Sequence, residues 1–221
     1  MTKLKLGLLL IPLAFCFSGS GQTAPQVPVK EFVTKLYIHG LPYDQAKAYG
    51  KPAVSELLTL LRDQTLEEYW PNIVLTLGYI GDPSAVKPLM DFMENSSGEV
   101  SIHRFRAILR IFQALGHISQ TGNKESIMHL NDYTSLNSWK TRELKFKFNQ
   151  YSQENLSEVL ARQAIVGLGI SGLPEANEKL KGIKNRKDTR KDWEDNLSEA
   201  IQLNERVGRQ GAQKVFSVKT N

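Results

Sequence analysis

The phrase Leu77-Gly78-Tyr79-Ile80-Gly81-Asp82-Pro83-Ser84-Ala85-Val86 joins two amphipathic segments, and it recurs. Shorter copies stand at Leu115-Gly116-His117-Ile118 and at Leu168-Gly169-Ile170-Ser171-Gly172-Leu173-Pro174. A partial copy lies upstream at Tyr49-Gly50-Lys51-Pro52-Ala53-Val54. One helical hairpin cannot bury its apolar face alone, whereas neighbouring copies stacked side on side can. The recurrence therefore constrains the chain to a series of packed helical pairs, an architecture suited to binding.

The best-defined unit explains itself residue by residue. Residues 52–61 place Ala53, Val54, Leu57, Leu58 and Leu61 on one helical face, with Pro52 in the first turn. Ala85, Val86, Leu89, Met90 and Met93 repeat those five positions 32 residues later. Between them, residues 66–79 form the partner helix, with Ile73, Val74, Leu77 and Ile80 inward. Gly78 lets a neighbouring helix approach closely, and Gly81 supplies the left-handed residue that stops this one. Asp82 caps the next helix and Pro83 takes its first position. A stop and a restart in three residues forces a tight antiparallel hairpin.

Other units follow with less regularity. Residues 31–39 read as a short helix through Phe32, Leu36 and Ile38, ended by Gly40-Leu41-Pro42, and 43–48 as a further turn. Phe105, Ile108, Leu109, Phe112, Leu115 and Ile118 line a helix from residue 102, and Ile127, Met128 and Leu130 carry its partner. The phrases at Leu77 and Leu115 are 38 residues apart, but Leu115 and Leu168 are 53 apart, so about 15 residues are inserted. The polar, weakly periodic stretch 131–154 is the place for them, and such insertions map to loops on one face. A last hairpin uses Leu160, Ala164, Ile165 and Leu168, then Ala176, Leu180 and Ile183. Trp193, Leu197, Ile201 and Leu203 mark a charged closing helix, suited to capping the end of a stack. The expected organisation is a signal segment over 1–24, a linker over 25–30, a helical array over 31–207 and a flexible tail over 208–221. No strand is convincing.

Residues 50–98 resemble HEAT repeats, the short bacterial type also found in phycobilin lyases, on Leu77-Gly78-Tyr79-Ile80-Gly81-Asp82-Pro83-Ser84-Ala85-Val86-Lys87-Pro88-Leu89. The likeness is looser over 105–130 and 156–183. It implies an all-α fold: a short right-handed α-solenoid of about four antiparallel hairpins whose second helices line a concave face. It also implies protein binding, with nucleic-acid binding or assistance to chromophore attachment in a minority of the family. Such a likeness specifies a fold rather than a site. The non-core positions of the second helices then give the expected partner surface: Glu56, Thr59, Lys87, Asp91, Lys124 and Met128.

The first residues read as an address. A basic start through Lys5, an apolar run over 6–17 broken by Pro12, and the small polar stretch 18–24 make a secretory signal, with cleavage near Ser20, Gly21 or Ala24. The apolar run is too short for a membrane span, which needs ~20 residues. Periplasmic or secreted localisation follows. A lipoprotein anchored at Cys16 is the alternative, although Phe15 is bulky where such signals carry a small residue. Cys16 is the one cysteine, so its removal leaves no disulfide and no thiolate metal site. The chain has 28 basic and 23 acidic side chains. Loss of Lys3 and Lys5 leaves an excess of three, which sets no strong expectation of a nucleic-acid or lipid partner.

Several constellations are weaker than they look. Ser84-Ala85-Val86-Lys87 fits a Ser-x-x-Lys nucleophile pattern, but the start of a repeat helix explains it, and no Lys-Thr-Gly follows. His117 and His129 straddle one turn-around without the third ligand that zinc needs. Glu67-Glu68 suits a first helical turn. Two basic clusters carry more. Lys140, Arg142, Lys145 and Lys147 are interleaved with Trp139, Phe146, Phe148 and Tyr151, and a second run extends from Lys179 to Lys191. Basic residues between aromatics can grip a polyanion and stack on bases. The reading is therefore a non-catalytic exported scaffold without cofactor or metal, with a phycobilin-lyase-like accessory role or polyanion binding as alternatives.

Overall fold

Gly81 adopts φ 76°, and the Asp82 carboxylate accepts a hydrogen bond from the Ser84 amide at 2.8 Å. The stop and restart read from the sequence is thus built as expected. The structure is a computed structural model that describes residues 27–217 except 143 and 188. The signal segment and Cys16 lie outside the described residues.

The helices run in the order α1 Val29–Val33, α2 Tyr43–Ala48, α3 Val54–Leu60, α4 Trp70–Ile80, α5 Val86–Glu94 and α6 Ile102–Ser119. They continue with α7 Lys124–Tyr133, α8 Leu136–Arg142, α9 Gln153–Ser171, α10 Pro174–Ile183, α11 Glu194–Gln210 and α12 Ala212–Phe216. Short 3₁₀ turns lead into α3, α4, α5 and α11. Among the described residues helix accounts for 74% and strand for 2%, so the fold is all-α.

The frame is a row of long helices. α4 packs on α6, α6 on α9 and α9 on α11. The phrase glycines stand at these crossings. A Cβ on Gly78 would lie 2.5 Å from the Ala114 Cα, and one on Gly169 would lie 2.8 Å from the Ala200 carbonyl oxygen. A Cβ on Gly116 would collide with the Gly167 carbonyl. The copies at Gly78, Gly116 and Gly169 therefore mark where one long helix touches the next, backbone to backbone. The shorter helices fill in around the row: α3 packs on α4, α5 on α6, α7 on α6 and α9, and α10 on α9 and α11. All five aligned apolar positions of the second unit, Ala85, Val86, Leu89, Met90 and Met93, are buried.

Asp82 holds its hairpin in a second way. Hydrogen bonds from Ser84 keep its carboxyl below the usual range, with Lys51 3.7 Å away adding to the effect. Asp82→Ala should cost about 1 kcal/mol, the usual value of a lost N-cap, read as a shift in urea midpoint. A variant as stable as the parent would show that Pro83 and Gly81 suffice.

The structure departs from expectation in several places. The first helix ends at Val33, not His39, and Leu36 and Ile38 are exposed. Tertiary hydrogen bonds take over the carbonyls that a longer helix would use: the Tyr37 hydroxyl donates to the Phe32 carbonyl, and Asn72 Nδ2 donates to that of Val33. The partner helix starts at Trp70 rather than 66, because Pro71 fits the first turn and 64–69 winds as 3₁₀. The expected linker already begins to pack at Val27, whose carbonyl accepts from the Tyr49 hydroxyl at 2.7 Å, and Val29 is buried in α1. The tail expected from 208 continues as α11 to Gln210 and then as α12.

The insertion is the largest difference. It is no surface loop: α8 and a strand β2, Phe146–Lys147, fold it onto the body. β2 pairs in parallel with β1, Gly98–Glu99, where no strand was expected. Trp139, Phe146 and Phe148 are buried; Trp139 Nε1 donates to the Tyr133 carbonyl at 2.8 Å, and Phe148 stacks on Phe105 at 4.1 Å.

Candidate functional site

Along α6, residues Arg106, Arg110, Gln113 and His117 fall on one stripe at helical spacing. Arg106 and Arg110 are exposed and Gln113 is half-buried, so the neighbouring helices leave this part of α6 open. At its far end the stripe closes over. His117 is buried, with its ring centroid 4.7 Å from that of Tyr79 in α4 and 5.8 Å from that of Tyr43 in α2. Phe216 of α12 lies 4.7 Å from His117 and 6.0 Å from Tyr43. Four rings thus gather from four elements that are distant in sequence.

Burial sets the chemistry there. It pushes the His117 imidazole down to about 3, opposed in part by a contact with Gln120 and reinforced by Lys47. His117 is therefore neutral. Burial raises the Tyr79 hydroxyl to about 12, against the nearby positive charge of Arg110. Lys47 Nζ donates to the Tyr43 hydroxyl at 3.3 Å and lies 5.4 Å from that ring's centroid. Among the described residues no carboxylate comes within ion-pair distance of Lys47, Arg106 or Arg110.

The residues expected to make a concave partner surface lie on three of the shorter helices. Glu56 and Thr59 are exposed on α3, Lys87 is exposed and Asp91 half-buried on α5, and Lys124 and Met128 are exposed on α7. α3 packs on α4, α5 on α6, and α7 on α6 and α9. Lys87 and Asp91 spend their charge on each other through two hydrogen bonds of 2.8 Å. Asp91 also lines a groove of about 410 Å³ with Leu58 and Leu61 beside α3. Exchanging the pair, Lys87→Asp with Asp91→Lys, keeps opposite charges at the same spacing and should leave the melting temperature unchanged.

The basic-aromatic edge loses most of its aromatic part. Trp139, Phe146 and Phe148 serve the core, so their faces are not offered to a base or a glycan. Tyr151 alone of the four is exposed. Arg142 is engaged: it pairs with Asp132, donates to the Tyr133 hydroxyl at 3.1 Å, and lies 3.7 Å from Glu94. The Tyr133 hydroxyl in turn donates to Glu94 at 2.7 Å. Lys140, Lys145 and Lys147 remain exposed. In the second basic run, Lys179 pairs with Glu175, Lys181 with Glu178, and Arg190 with Glu158 and Asp192. Two clefts flank Trp139. One of about 240 Å³ holds the Tyr133–Arg142–Glu94 network, and one of about 570 Å³ lies between Leu136, Lys140, Leu144 and Glu154.

His117 and His129 have separate surroundings, the former among rings and the latter 3.7 Å from Glu125. Among the described residues no group of three or more His, Cys, Asp or Glu side chains could hold a metal ion. No described helix is long and apolar enough to cross a membrane. The sequence reasoning missed the ring cluster, although a signal for it existed. Tyr79, His117 and Ile170 each follow the glycine of one phrase copy, and Gln120 Nε2 donates to the Ile170 carbonyl at 2.7 Å within the same zone. What no periodicity carried was the return of Phe216. Compared with protein-family models, curated proteins and solved structures, the chain shows no match.

Proposed function

We propose that this protein is a non-catalytic interaction scaffold of HEAT-like construction, exported from the cytoplasm, that docks a protein partner on its helical surface. The observation that carries the reading is the repeated glycine crossing: Gly78 on Ala114, Gly116 on Gly167, Gly169 on Ala200. Backbone-to-backbone contact of this kind locks the long helices into one row. A surface held so stiffly loses little conformational entropy when a partner binds. Export rests on the basic, apolar and small-residue order of 1–24. The partner surface is the set of side chains the row leaves open, with Arg106 and Arg110 central and the α3, α5 and α7 positions as a second face.

In-cell cross-linking in the natural host, with capture on a C-terminal tag and mass spectrometry, tests this. One dominant exported or envelope protein is expected, together with a mature N-terminus near residue 24. Recovery of lipid, glycan or nucleic acid without a protein would overturn the scaffold reading. An intact N-terminus at Met1 would overturn export.

A further inference from the structure

Three of the four clustered rings are held by the body and one is not. Tyr43 and His117 are buried, and Tyr79 is half-buried against both, 4.8 Å from the former. Their helices pack firmly: α2 on α4, and α4 on α6. Phe216 is carried by five residues of α12, none of them fully buried, which follow Gly211 at φ 81°. α12 packs chiefly against α11 and α2, and its Phe216 reaches His117 of α6. A one-turn helix does not support itself in water, because nucleation outweighs its few hydrogen bonds. Segments with so little burial open at small free-energy cost. Phe216 is therefore the displaceable member of the set.

The rim of this floor is basic. Lys47 stands over Tyr43, and Arg110, whose Nη1 donates to Gln113 Oε1 at 2.6 Å, stands two stripe positions short of His117 and close enough to act on the Tyr79 hydroxyl. Both are exposed, and neither has a carboxylate partner among the described residues. The segment that now fills the floor is the wrong one for the rim. Residues 211–217 read Gly-Ala-Gln-Lys-Val-Phe-Ser, with one lysine and no acid. The cis occupant satisfies the aromatic floor and leaves the positive rim unanswered.

From this mismatch we infer that Tyr43, Tyr79 and His117, with Lys47 and Arg110 beside them, form a docking site for an aromatic side chain on an acidic segment of a partner protein. Phe216 occupies the site in cis until such a segment displaces it. The inference rests on the protein-binding reading above and names the chemistry of the partner. Tethering makes Phe216 a strong competitor, since short linkers give effective concentrations around millimolar. Binding from outside is weakened by the fraction of time the site is closed.

The test uses the whole chain and a fluorescein-labelled peptide, Asp-Glu-Ala-Phe-Ala-Glu-Asp, followed by fluorescence anisotropy. Phe216→Ala is expected to bind this probe about 10-fold more tightly than the parent, a difference of about 1.4 kcal/mol. Replacing the probe's Phe by Ala, or its acids by Lys, should remove the gain. So should Lys47→Glu with Arg110→Glu in the Phe216→Ala background. The His117 ring-proton signals should shift with probe. Circular dichroism checks the fold, and Arg110→Gln replaces the double reversal where that disturbs it. Equal affinity of parent and Phe216→Ala would overturn the site, as would equal binding of the lysine probe. A folded Phe216→Ala that ignores the acidic probe would do the same. If the probe fails while the host experiment captures a protein cross-linked elsewhere on the chain, the site falls and the scaffold reading stands. If no protein is captured, it is the scaffold reading that falls.

Discussion

Gly167→Ala should lower the stability of this protein by about 3 kcal/mol or more, although alanine is the better helix former. The substitution gains up to ~1 kcal/mol of helix propensity. Against that, a Cβ at position 167 would run into the Phe112 carbonyl oxygen of α6 and lie 2.5 Å from Leu130 Cδ2 of α7. The first obstacle is backbone, so relief requires α6 and α9 to separate, and Gly116 holds the same crossing from the other side. Overpacking of this sort costs ~1–3 kcal/mol and more when backbones must move. In a chain of this size the melting temperature should fall by roughly 6–12 °C. Gly182→Ala is the matched control. It lies in α10 with nothing within 4 Å of a built Cβ, and should gain about 0.5 kcal/mol. Urea denaturation of the two variants beside the parent decides the point. Equal effects at 167 and 182 would mean that the helix row is not closed by glycine contact.

Acid should destabilise the protein through His117 well before its carboxylates are protonated. Burial holds this imidazole at about 3 in the folded chain, against 6.5 when exposed. Below pH 6.5 the unfolded state takes up a proton that the folded state refuses, so stability falls as pH falls. The contribution is complete above pH 6.5, declines between 6.5 and about 3, and is gone below that. At ~1.4 kcal/mol per unit, the full loss is on the order of 5 kcal/mol. His117→Leu, neutral at every pH and able to lie against Tyr79 and Phe216, should remove this part of the dependence. The comparison is the urea midpoint of parent and variant at pH 7, 5.5 and 4.5. Parallel lines would show that His117 is protonated in the folded protein, and with that the ring cluster would not be dry.

Both predictions arise from places where the sequence spoke in part. The local turns were legible because their causes are local. Gly81 at φ 76°, the Asp82 cap and Pro83 act within three residues, and the apolar stripe of α5 needs only helical spacing. The recurrence of Leu-Gly announced close helix contact, and Gly78, Gly116 and Gly169 each make one. A helix end set by a distant partner was not legible: α1 stops at Val33, whose carbonyl is claimed by Asn72, 39 residues away.

The sequence by itself determined that this protein is all-α, where the Gly81 hairpin turns, and that the apolar stripe of α5 goes inside. Those outcomes follow from spacing, caps and left-handed glycines, which act over a few residues. Only the tertiary structure decided that the polar, irregular insertion would sink Phe146 and Phe148 into the core, because burial there depends on β1 and Phe105, some 40 residues upstream of them. Only the tertiary structure brought Phe216 back to Tyr43 and His117. The physical reason is the same in both cases. An aromatic side chain is stabilised by whatever apolar surface it reaches, and no periodicity in its own segment records which surface that is.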